Sequence, residues 1–71
     1  MEPDFTTHSY IAYTYLGLTL ELKALKSRNG WYIGSSNDEG PVSRDSLEYY
    51  PSVYVARAAL TACSWTQRHN P

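Results

Sequence analysis

The sequence predicts a small α+β domain: an antiparallel sheet of two or three strands with one C-terminal helix packed on it. Three observations predict it. Every even position from Leu16 to Ala24 is apolar, the period of a half-buried strand. Asn29-Gly30 stands between two strand patterns, a strong hairpin signal. Pro51-Ser52 then opens a run from Val53 to Cys63 with a wide apolar surface at helical spacing.

Residues 1–9 carry Pro3, Asp4, Thr6 and Thr7 without apolar periodicity, and read as a loose N-terminal arm before a single domain over 10–71. From Tyr10 the pattern reads as strand, with Ile11, Tyr13 and Tyr15 on one parity and Leu16 to Ala24 on the other. The change of phase falls at Leu16-Gly17, where a glycine can host a bulge or a turn. A helix is the competing reading, because Leu18, Leu22 and Leu25 also fit helical spacing with Asn29-Gly30 as C-cap. A type I′ turn at Asn29-Gly30 would pair Arg28 with Trp31, Lys26 with Ile33 and Ala24 with Ser35. That register gathers Leu22, Ala24, Trp31 and Ile33 on one face.

The stretch Ser35 to Pro41 has turn chemistry throughout and reads as a loop. Val42 to Tyr50 fits either a third strand or a helical turn capped by Asp45 with Glu48. Ser52 caps the final helix. On that helix Tyr54, Arg57, Thr61 and Ser64 crowd into an arc of about 80°, and the other positions are Val, Ala, Leu or Cys.

Composition limits the function. The 71 residues hold six Lys+Arg against seven Asp+Glu, a formal net charge of −1, which disfavours a phosphate-binding surface. A hydrophobic content of 42% with 18% charged residues marks a folded chain. The single cysteine excludes an internal disulfide and fits a reducing compartment. The run Ile11 to Leu20 lacks a positive flank and is too short for a span, so the chain reads as cytoplasmic, with no membrane partner.

Catalytic and metal chemistry have little to build on. His8 and His69 lie near opposite ends, and Cys63 has apolar neighbours that suggest a buried, inert thiol. No paired-ligand spacing is present, and Asp38, Glu39, Asp45 and Glu48 do not follow a calcium-loop pattern. The expectation is therefore no enzyme, no metal and no cofactor. Catalysis or small-ligand binding would call for a deep pocket holding Cys63 together with a histidine.

Aromatic content points elsewhere. Seven Tyr, two Trp and one Phe make up 14% of the chain, more than so thin a core can hide. Tyr, Trp and Arg are the residue types that concentrate binding energy at protein interfaces. Tyr49, Tyr50, Tyr54 and Arg57 form a candidate interface with the surplus apolar positions of the helix, Val55, Ala58 and Ala62. The expected function is a small non-enzymatic protein–protein interaction or regulatory module, binding a larger protein or self-associating. The alternative is a nucleic-acid accessory protein, stacking bases on Tyr13 and Tyr15 beside a Lys23, Lys26 and Arg28 edge.

Gly30-Trp31-Tyr32-Ile33-Gly34, Ser43-Arg44 with Ser46, Glu48-Tyr49-Tyr50-Pro51-Ser52, Ala56-Arg57 and Ala59-Leu60 together resemble short proteins of proteobacteria, pseudomonads especially, and of their phages. The resemblance covers about half the chain. It implies a bacterial or phage origin and, since those proteins carry no established activity, no site residues.

Overall fold

The computed structural model describes all residues from Met1 to Pro71. Helix α1 (Tyr10–Leu16) is followed by strands β1 (Lys23–Ser27), β2 (Gly30–Asn37) and β3 (Gly40–Arg44), then helix α2 (Val53–Ala62). The strands form an antiparallel meander in the order β1-β2-β3. Helix α2 packs on β1 and β2, and α1 packs on β3. The fold class is α+β, with a second short helix added to the expected plan.

That helix is a correction to the sequence reading. Tyr10 to Leu16 is helical, although Ile11, Tyr13 and Tyr15 alternate as a strand would. Its ends explain why. Ser9 accepts the Ala12 amide at 2.9 Å as N-cap. Gly17 closes the helix at φ 69, its amide donating to the Tyr13 carbonyl, while Leu18 donates to Ala12. Ile11 and Ala12 are the residues it buries. Leu16 and Leu18, placed on a buried strand face by parity, are exposed, and of that run Leu22 alone is buried.

Residues 7–9 of the expected arm are tied into the domain. Ser9 donates to the Leu20 carbonyl and Leu22 to that of Thr7, both at 2.8 Å, so His8 bridges Glu21. Ser9 is fully buried.

The first hairpin forms, in a different register from the expected one. Ser27 pairs with Gly30, Lys26 with Trp31 and Ala24 with Ile33, so Arg28 and Asn29 are the loop residues. Gly30 carries positive φ (119°) and Asn29 does not, which excludes a type I′ turn. The Ser27 hydroxyl holds the loop, accepting from the Asn29 amide at 3.3 Å and donating to the Gly30 carbonyl at 2.9 Å. The two registers differ by a step of two residues, which preserves strand parity. Trp31 and Ile33 therefore still share a face with Ala24.

The polar run after Gly34 is also strand. β2 continues to Asn37, only Asp38 and Glu39 turn, and β3 starts at Gly40. Ser35 and Ser43 face each other across this ladder with their hydroxyls 2.6 Å apart, so the polar side chains are buried and satisfied. Of the two readings of Val42 to Tyr50, the strand holds as far as Arg44. Beyond it Ser46 bridges Gln67 and Tyr50 bridges Trp31, with no helical turn at Asp45.

The apolar core is small. Leu22, Ile33 and Ala59 form its centre, with Tyr50, Leu60 and Trp65 half-buried around them. A polar core lies beside it. Asp45 is wholly buried, and its carboxylate accepts from Ser9 and Ser43 hydroxyls, the Ile11 amide and the Gln67 side-chain amide, at 2.7–3.1 Å. This carboxylate joins α1, β3 and the C-terminal segment.

Candidate functional site

Helix α2 places the candidate interface. Ser52 accepts the Val55 amide at 3.2 Å and starts the helix as expected. Ala56 and Ala59 turn into the core. At 100° per residue, Tyr54, Ala58, Ala62 and Val55 fall within an arc of about 100° whose Val55 edge adjoins the buried Ala59. All four are exposed, Tyr54 by 78% and Val55 by 43%. Arg57 is exposed on the flank of this strip. The structure thus brings together five of the seven candidate residues.

The two remaining tyrosines lie elsewhere. Tyr49 meets Tyr32 edge-to-face at 6.2 Å, and the Arg44 guanidinium sits 4.8 Å from its ring. Tyr32 alternates with Ile33 along β2, so this cluster lies on the sheet face away from α2. Tyr50 packs against the core cluster, and its backbone exchanges two hydrogen bonds with Trp31. Its hydroxyl is buried without a hydrogen-bond partner. Burial, helped by the Glu48 charge, raises the Tyr50 phenol above its ordinary range. Tyr50 therefore supports the base of α2 and does not join its outer strip.

Cys63 departs from the sequence reading. It is exposed, not buried, and terminates α2 in the left-handed conformation at φ 53. It lies where two adjoining clefts meet. One, of about 290 Å³, is lined by Asp4, Phe5, Tyr10 and Trp65. The other, of about 490 Å³, includes His8 and Glu21, and both share Thr6 and Cys63. A pocket with Cys63 and a histidine is thus present, but His8 Nδ1 is hydrogen-bonded to the Thr7 hydroxyl at 2.8 Å and no thiol–imidazole hydrogen bond forms.

The acidic residues 38–48 do not converge. Asp38 and Glu39 form the second turn, Asp45 is buried, and Glu48 accepts the Thr66 amide at 3.0 Å. No group of three or more His, Cys, Asp or Glu is placed to hold a metal ion. Tyr13 and Tyr15 lie on α1 and not on a strand, which removes the sheet platform of the nucleic-acid alternative. Tyr15 donates to the His69 carbonyl at 2.6 Å, and Phe5 packs on Tyr13. No helix is long and apolar enough to cross a membrane.

The aromatic cleft and the buried Asp45 hub carry no signal in sequence spacing. Their residues come from opposite ends of the chain and meet only through the fold. No protein-family model, curated protein or solved structure matches the chain.

Proposed function

We propose that the protein is a non-enzymatic interaction module that presents the outer strip of α2 to a larger protein. One observation carries this reading: Tyr54 and Val55 stand exposed beside Ala58 and Ala62 on a helix whose other face is already committed to the core. Spacings of i, i+4 and i+8 are how an amphipathic helix enters an apolar groove. Tyr54 supplies a large amphipathic anchor, and the alanines let the groove wall approach the backbone.

Size favours a larger partner over a second copy. A ten-residue helix is about 15 Å long and about 10 Å across, and so offers a few hundred Å² on one side. Specific complexes bury about 800 Å² per partner. A groove that wraps the helix flanks and takes in Arg57 reaches that scale more readily than two such strips laid together.

Site-specific photo-crosslinking in the chain's own host tests this. A photoreactive residue at Ala58 should give one discrete heterologous adduct, lost when Tyr54→Glu is added. An adduct of twice the monomer mass would show self-association instead. Adducts unaffected by Tyr54→Glu would overturn the reading.

A further inference from the structure

Phe5, Tyr10 and Trp65 line one cleft together with Asp4. The cleft's volume, about 290 Å³, is at the small end of ligand pockets. Phe5 and Tyr10 stand nearly perpendicular, at 84° with centroids 5.4 Å apart, and make one corner. Tyr10 is braced from outside by the His69 ring at 5.5 Å. The remaining lining residues are Thr6, Cys63 and Gln67, so no positive side chain enters the wall.

We propose that this cleft binds a trimethylammonium group, with Phe5, Tyr10 and Trp65 as the aromatic walls and Asp4 as the counter-charge at the rim. Aromatic faces carry negative potential and attract a cation whose charge is spread over methyl groups. Methylation matters because a free ammonium is strongly hydrated and costs more to take out of water, whereas methyl groups lose little hydration and pack against ring faces. Asp4 is ready for the role. Its Oδ1 accepts the Thr6 hydroxyl at 2.7 Å and the Thr6 amide at 2.9 Å, bonds that leave Oδ2 unused. Those bonds from Thr6, side chain first and then backbone, hold the Asp4 carboxyl below its ordinary range and therefore charged at neutral pH.

This site is separate from the outer strip of α2, and the two readings stand or fall independently. The test is a titration of the full chain followed by nuclear magnetic resonance, using choline and its neutral isostere in which carbon replaces the quaternary nitrogen. Choline should shift the Trp65 indole, Phe5 and Tyr10 signals saturably and bind about ten-fold more tightly than the isostere. Asp4→Asn should weaken choline binding several-fold and leave the isostere unchanged. Because Trp65 also packs on the core, Phe5→Leu serves as the wall variant. A trimethyllysine peptide compared with its unmodified form distinguishes a protein side chain from a free small molecule as the source. Equal binding of choline and isostere, or shifts confined to other residues, would overturn the proposal.

Discussion

The amide of Ile11 donates to the carboxylate of Asp45 at 3.1 Å, across 34 residues of chain. The other carboxylate oxygen takes the Ser9 hydroxyl that also caps α1, so one buried acid holds the start of α1 against β3. Negative charge at a helix N-terminus complements the exposed amides there.

Removing that acid should loosen the N-terminal half. Asp45→Ala removes the buried acceptor of the Ser9 and Ser43 hydroxyls and of the Ile11 amide, at a cost of about 3 kcal/mol in urea unfolding. Asp45→Asn should cost roughly half as much, because a turned amide donates to the Ser9 and Ser43 hydroxyls and accepts from Ile11 and Gln67. A loss below about 1 kcal/mol for the alanine variant would show that the hub does not hold the fold together.

Gly30 limits the first hairpin twice over. Its φ of 119° suits glycine alone, and an added Cβ would lie 2.8 Å from the Tyr50 carbonyl that pairs with Trp31. Gly30→Val should therefore lower stability by about 2 kcal/mol. Thermal melting at the wild-type temperature would contradict this geometry.

The exposed thiol of Cys63 should react with a thiol reagent in the native state nearly as fast as in denaturant. Its left-handed backbone suggests a stabilising change: Cys63→Gly should gain about 0.5–1 kcal/mol. Slow native labelling would place the thiol inside the fold.

The parts legible in the sequence are those whose signal is local. Ser52 and the apolar run after it mark α2, and the surplus positions Val55, Ala58 and Ala62 are indeed the exposed ones. The β1–β2 face is legible because a register error of two leaves parity intact. α1 is not, since seven residues are too few to separate a helical period from the alternation of Ile11, Tyr13 and Tyr15. Ser35 reads as loop and Asp45 as a helix cap because hydroxyls and carboxylates are ordinarily solvated, and Ser43 leaves strand and turn undecided. Here they solvate one another.

Stability should fall at both ends of the pH range. For Glu48, burial pulls the carboxyl upward but hydrogen bonds from Thr66 outweigh it, and the result lies below the ordinary carboxylate range. Its contribution is present above the unfolded value and is lost as pH falls below about 4.5. Tyr32 and Tyr50 are raised, chiefly by burial, so theirs is present below the unfolded phenol value and is lost as pH rises above about 10. Glu48→Gln should flatten the acid limb of Tm against pH. An unchanged acid limb would remove Glu48 from that role.

Binding through the outer strip of α2 is tested most directly by the yield of the Ala58 photo-adduct in a Val55→Glu, Ala62→Glu double variant. Both side chains are exposed, so the variant should keep the wild-type fold by circular dichroism. The predicted result is loss of the adduct with the fold intact. The same adduct at the same yield from a folded double variant would contradict the account.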